Sequence, residues 1–258
     1  MSKRDERVLI INDDGIDAYG IDLLEQAARR LFHDVWVVAP ATHQSGKSRS
    51  ISLGGRLELK QHGPQRFSVT GSPVDTLLTA MHVLFQDKRP DIVLSGVNQG
   101  GNLGEDVGYS GTASVAMEAA MHGMRAFAFS QVRKKREDNW SATIGHLDEV
   151  LDRILDLPFG PECILNVNFP PIEAGAVTGW TVAPQGLRQT LISLESHPDG
   201  SPDTYVYGYE RDNTPSRENS DIAACGRGEI AITPIRVTYG HDAALPFLMR
   251  YLDDKAPQ

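Results

Sequence analysis

Three runs in the first hundred residues are apolar almost without interruption: Val8-Leu9-Ile10-Ile11, Val35-Trp36-Val37-Val38-Ala39 and Ile92-Val93-Leu94. A strand with one wet face alternates apolar and polar residues, so unbroken runs belong to strands covered on both faces. Strands are expected at 7–12, 34–39, 91–95 and 125–129, separated by helical patterns at 19–32, 73–86 and 110–122. Such alternation requires crossovers and a parallel sheet. The expected fold is α/β, a Rossmann-like three-layer arrangement around a mostly parallel sheet. Residues 51–70, punctuated by Gly54-Gly55 and Gly63-Pro64, read as one or two hairpins, with 51–59 alternating like a strand. A helix over 139–157 and a strand over 162–168 follow. After Pro170-Pro171 the pattern loosens: strands at 176–182 and 203–210 flank a polar stretch over 195–202, then come a strand over 228–237 and a closing helix over 242–253. This part is expected to project as a β-rich C-terminal arm. The division is a core over 1–170 and an arm over 171–258, or one continuous domain.

Composition narrows the partners. The 258 residues are 40% hydrophobic and 23% charged, ordinary for a globular protein that buries a sizeable core. No run approaches the ~18 apolar residues of a membrane span. The N-terminus passes into the first strand without an apolar signal segment. Cys163 and Cys225 have neither metal-ligand spacing nor the density of a disulfide scaffold, so both are expected reduced and the protein cytoplasmic. A formal net charge of −9 argues against a nucleic-acid polymer as main partner. The basic run Arg133-Lys134-Lys135-Arg136 reads as solvated surface.

The chemistry-bearing residues cluster where strands end. Asn12-Asp13-Asp14-Gly15 closes the first apolar run. Two adjacent carboxylates at a strand tip repel each other and lose hydration, so a divalent cation is expected there; ligands of open parallel sheets bind beyond the carboxyl ends of strands. Ser95-Gly96-Val97-Asn98-Gln99-Gly100-Gly101-Asn102 begins where the 91–95 strand is expected to stop, its glycines allowing close backbone approach. Ser110-Gly111-Thr112 then opens an Ala-rich helix, whose free N–H groups and partial positive charge make a phosphate seat; the plainer reading is an N-cap. A third loop, His43-Gln44-Ser45-Gly46-Lys47-Ser48, imitates a P-loop. Ala41 stands where that motif needs its first glycine, and no helix is expected after it. Ser45 is read as a hydroxyl near the cation or the phosphate.

Together these motifs resemble the survival protein E (SurE) nucleotidases. The resemblance rests on Asn12-Asp13-Asp14-Gly15, Ala39-Pro40 through Ser45-Gly46, Ser95 through Asn102 and Tyr109-Ser110-Gly111-Thr112. Gly71-Ser72-Pro73-Val74-Asp75, Leu165-Asn166-Val167-Asn168-Phe169-Pro170 and Ser220-Asp221 leading to Ile232-Thr233-Pro234 extend it along nearly the whole chain. It implies a divalent-metal-dependent phosphatase of nucleoside monophosphates, with one magnesium or manganese ion per subunit. The implied metal ligands are Asp13, Asp14, Ser45 and Asn98. The implied phosphate and substrate contacts are Asn12, Asn98, Asn102, Ser110, Gly111 and Thr112, with Asp13 and Asp14 catalytic. It also implies a C-terminal part used in dimer or tetramer exchange. One departure stands out: Thr238 occupies the place of an expected Asp, and His241 is displaced by one position from an expected His, so an acid role for His241 is not carried over.

Hard oxygen ligands suit magnesium or manganese more than zinc. A cation there neutralises phosphoryl charge and lowers the pKa of a nearby water, leaving catalysis to positioning and electrostatics. Two other readings remain: a nucleotide-sensing module without turnover, and a phosphatase for another phosphoester such as a sugar phosphate or short polyphosphate.

Overall fold

The computed structural model describes residues 3–133, 140–188, 190–199, 201–211 and 217–253. Positions 134–136 of the basic run lie outside them. The chain runs β1 (Arg4–Ile11), α1 (Tyr19–Leu31), β2 (Phe32–Pro40), β3 (Leu59–Gly63), β4 (Arg66–Val69), α2 (Pro73–Val83), β5 (Ile92–Gln99), α3 (Gly111–Met121) and β6 (Arg125–Gln131). There follow α4 (Ser141–Ile154), β7 (Cys163–Phe169), β8 (Gly179–Val182), β9 (Thr190–Ser196), β10 (Tyr205–Arg211), α5 (Asp221–Gly226), β11 (Glu229–Arg236) and α6 (Leu245–Asp253).

Nine strands form one sheet in the order β3-β4-β2-β1-β5-β6-β7-β11-β8, and β9 with β10 forms a separate two-stranded sheet. All pairings in the large sheet are parallel except β3 with β4 and β11 with β7. The unbroken apolar runs are explained by two cores. Val8 and Ile10 point into one, with α1 and α4 residues such as Leu24 and Val150. Leu9 and Ile11, one pleat away, point into the other, with α2 and α3 residues such as Leu77 and Val115. Each face of β1 is thus sealed by a helical layer.

β1 sits between β2 and β5, so the strand order reverses there, and a crevice opens beyond the carboxyl ends of β1 and β5. Asp13 and Asn98 stand at that crevice.

The structure departs from the sequence expectations in several places. β5 does not stop at Ser95 but passes an irregularity and pairs again with β6 at Asn98–Ser130 and Gln99–Gln131. Gly96 permits this: its φ is +129°, and a Cβ would lie 2.3 Å from the Phe129 carbonyl oxygen. Residues 51–58 form no strand despite their alternation; Ile51, Leu53 and Leu57 stay exposed, and one hairpin, β3–β4, closes the region. β9 lies mostly where no element was expected and ends in the first two residues of the polar stretch, and α5 is a short helix that the pattern did not reveal. Beyond Pro171, β8 and β11 return to the large sheet, while β9–β10 stands apart. The loop after β2 continues into no helix, as expected for a P-loop look-alike. Both cysteines are free thiols, and burial pushes Cys225 up to about 12. Among the described residues no helix is long and apolar enough to cross a membrane.

Candidate active site

Asp13 lies two residues beyond the end of β1 and is 3% exposed. Burial pushes its carboxyl up to about 6, and the neighbouring Asp14 charge adds to the rise. Opposing this, the Thr112 hydroxyl donates to Asp13 Oδ1 at 2.5 Å. The start of α3 presses against the same carboxylate: a Cβ on Gly111 would lie 2.8 Å from both Cβ and Oδ2 of Asp13. Gly111 is therefore glycine for reasons of space. Gly111→Ala is expected to push the carboxylate aside, lowering turnover about 100-fold and stability by about 1–3 kcal/mol. Steady-state phosphate release and thermal melting check this, and wild-type values in both would refute it.

Asp14 is also largely covered, its side chain 7% exposed. Its Oδ2 accepts the Gln99 N–H at 2.9 Å, which ties the acidic turn to the end of β5. His43 Nε2 lies 3.3 Å from Asp14 Oδ1 and 3.0 Å from Ser45 Oγ. No sequence spacing marked His43, because it meets Asp14 only when the β2 and β1 loops fold together. Asn12 turns inward: its Nδ2 donates to the Gly15 carbonyl at 2.8 Å and its Oδ1 accepts the Gly15 N–H at 3.2 Å. Both ends of that amide hold the shape of the acidic turn.

Asn98 Nδ2 donates to the Gly100 carbonyl at 2.7 Å, which orients Oδ1 as the acceptor end. Asn102 is the most heavily supported residue of the glycine loop. Its N–H donates to Asn168 Oδ1 at 2.9 Å, and its carbonyl accepts from Asn166 Nδ2 at 2.8 Å and Asn168 Nδ2 at 3.2 Å. Its own Nδ2 donates to Ser130 Oγ at 2.8 Å. Two residues on, the Gly104 N–H donates to Asp221 Oδ2 at 2.9 Å. The signal for the β7 asparagines was present in sequence, since polar residues at i and i+2 in an apolar strand must be answered by a partner. Asn168→Ala is expected to free the Asn102 backbone and lower kcat/KM about 10- to 100-fold, with about 1–3 kcal/mol lost in stability. An unaltered kcat/KM would remove the loop from the chemistry.

Ser110 caps α3, its Oγ accepting the Ala113 N–H at 3.0 Å. The N-cap reading and the phosphate seat coexist, because the N–H groups of Gly111 and Thr112 begin the helix and have no intrahelical acceptor.

A cleft of about 880 Å³ has Asp13, Ser45, Asn98, Asn102 and Ser110 in its wall. Asp14 lines an adjoining cleft of about 490 Å³, and Gln99 borders both. Of the sequence-derived set, Gly111 and Thr112 back Asp13 from the helix side, and Asn12 lies inside the turn. Thr238 and His241 are exposed and belong to neither cleft wall. His122 lies at the C-terminal end of α3, its Nε2 3.3 Å from Glu118. Two carboxylates, a hydroxyl and an oriented amide oxygen form an all-oxygen donor set suited to a hard divalent cation. Among the described residues no three His, Cys, Asp or Glu side chains are grouped to hold a metal, so a cation here would also have to draw on serine and asparagine oxygens.

Comparison with known proteins adds to this geometry. Residues 8–191 match the family model described as "Survival protein SurE". A protein from Erythrobacter litoralis named 5′-nucleotidase SurE is 38% identical over 236 residues, 90% of this chain and 93% of that protein. The similarly named protein of Rhodopseudomonas palustris is 41% identical over 239 residues, with the same two coverages. The crystal structure of a SurE protein from Aquifex aeolicus superposes with a TM-score of 0.82 at 28% identity, covering 96% of this chain and 99% of that one.

Proposed function

Because this chain belongs to the SurE family, we propose that it is a 5′-nucleotidase, releasing phosphate from nucleoside monophosphates. The observation that carries the reading is the buried Asp13 carboxylate, held between a second carboxylate and the N-terminus of α3. Such a charge is costly unless a cation meets it.

The ion is one magnesium or manganese per subunit, and Asp13, Asp14, Ser45 and Asn98 would hold it. When bound, it supplies positive charge against the phosphoryl oxygens and lowers the pKa of an adjacent water. The chain does the rest. N–H groups of Gly111 and Thr112, with the Asn102 and Ser110 side chains, hold the phosphoryl oxygens. Thr112 keeps Asp13 in place. The acidic pair takes the proton of the attacking water as its oxygen bonds to phosphorus. The ester P–O bond breaks, and the acidic pair passes that proton to the departing nucleoside oxygen, so the nucleoside leaves as its alcohol. A compact substrate of this kind suits an acidic chain better than a nucleic-acid polymer does.

We assign the cytoplasm as its compartment, in keeping with two separate thiols. We assign a homodimer or homotetramer as its form, because α6 leaves Phe247, Met249 and Leu252 exposed in a single chain. Light scattering on the purified protein checks the assembly.

The decisive experiment is phosphate release, with magnesium or manganese present, from a panel of nucleoside monophosphates, sugar phosphates and short polyphosphate. Nucleoside monophosphates are expected to lead by kcat/KM. Preference for polyphosphate would favour the phosphoester alternative, and binding without release would favour a nucleotide sensor.

A further inference from the structure

The 880 Å³ cleft is far larger than a phosphoryl group, and its wall is chemically lopsided. Apart from glycines and polar side chains it offers two apolar surfaces, the rings of Tyr109 and Tyr207. Tyr109 precedes the phosphate seat in sequence and is 62% exposed; Tyr207 is 79% exposed. Among the described residues neither ring has an aromatic partner. Tyr207 arrives from the β9–β10 hairpin, where it faces Leu194 across the ladder. A two-stranded sheet is marginal by itself, and exposed aromatics on its face are favoured when something covers them. Two of the carboxylates on the same wall are answered by Arg188: its Nε donates to Glu105 at 2.7 Å and its Nη2 to Asp106. That wall is therefore balanced in part and does not bar an anionic ester.

Resting on the nucleotidase reading above, we propose that Tyr207 and Tyr109 form the nucleobase platform, with the hairpin bringing the Tyr207 ring against the base. The other aromatic pair near the acidic turn, Tyr19 with Trp140, lines the smaller cleft and is spent on itself, edge to face at 5.7 Å. Stacking does not read base edges, since every base presents a π-face. The platform therefore accepts all bases and ranks purines above pyrimidines by contact area.

The test compares AMP with ribose 5-phosphate, which keeps the sugar and phosphate but lacks the base. The ratio of their kcat/KM values is expected to fall about tenfold in Tyr207→Ala and to stay within about twofold in Tyr207→Phe, in line with the ~1–3 kcal/mol of a base–aromatic stack. Adenosine binding by calorimetry, which needs no turnover, is expected to weaken by the same factor. An unchanged ratio in Tyr207→Ala, or equal losses on both substrates, would overturn the platform. A wild-type protein that hydrolyses AMP with no preference over ribose 5-phosphate would also overturn it while leaving the nucleotidase reading intact. Adenosine binding that depends on Tyr207, in a protein releasing no phosphate from AMP, would uphold the platform and remove the hydrolytic reading.

Discussion

Asp13→Asn is expected to lower kcat/KM for nucleoside monophosphates about 1000-fold and yet to stabilise the metal-free protein at pH 7. The activity loss follows from removing a buried carboxylate proposed to hold the metal ion, whose charge stabilisation is worth several kcal/mol, with each 1.36 kcal/mol a factor of ten. The stability gain comes from the same burial. The Asp13 carboxyl is raised from 3.8 to about 6 in the folded protein, mainly because it has lost water and partly because Asp14 is beside it. Between those pH values the folded state binds more protons than the unfolded chain, so stability falls as pH rises. The contribution is intact below about pH 4, declines through about pH 6 and is gone at pH 7, a loss of about 3 kcal/mol at most. An asparagine does not ionise, and its amide oxygen still accepts the Thr112 hydroxyl. Melting of chelator-treated wild type and variant at pH 4 and pH 7 reads this out: the curves approach each other at the lower pH and separate at the higher one. A variant with wild-type turnover, or with no gain at pH 7, would contradict the placement of Asp13.

Chelation is expected to abolish turnover, with magnesium or manganese restoring it. The same ions should raise the unfolding free energy of wild type by about 2.7 kcal/mol at a hundredfold excess over Kd, because only the folded chain assembles the ligands. Asp13→Asn and Asn98→Ala should lose most of that increment. The effect discriminates because the proposed donors come from three loops, after β1, after β2 and at the end of β5. Recovery with zinc alone would contradict the all-oxygen donor set. An equal metal-induced rise in Asn98→Ala would move Asn98 from the ion to the substrate.

These two effects are coupled. An acidic turn that weakens the empty protein and is relieved by a cation makes stability depend on occupancy. Wild type should therefore be less stable than Asp13→Asn without metal and should overtake it when loaded.

Much of this site was legible before any fold was known. Asp13 and Asp14 drew attention because adjacent carboxylates after an apolar strand need a counter-charge. Ser110-Gly111-Thr112 did so because a capped helix start offers free N–H groups. Other parts were hidden. His43 lies two residues from Ser45 in sequence, yet its contact with Asp14 depends on how two loops meet. Tyr207 reaches the cleft through β9 and β10, and the sequence pattern assigned no strand to 190–196, where β9 lies. Residues 51–58 misled in the other direction, since they alternate like a strand but form none.

The chain's own periodicity determined the layered parallel fold, because strands apolar on both faces admit one solution: helices above and below. Local chemistry likewise determined where charge and free N–H groups gather, since both are properties of a few consecutive residues. Only the tertiary structure decided that Asn166 and Asn168 brace Asn102, that Gly111 must be glycine against Asp13, and that a tyrosine from a distant hairpin enters the cleft. The hydrogen bonds among them join residues 66 and 99 positions apart, and Tyr207 shares a cleft with Asp13 from farther still. Their existence depends on strand order and loop packing, which no local window of sequence contains.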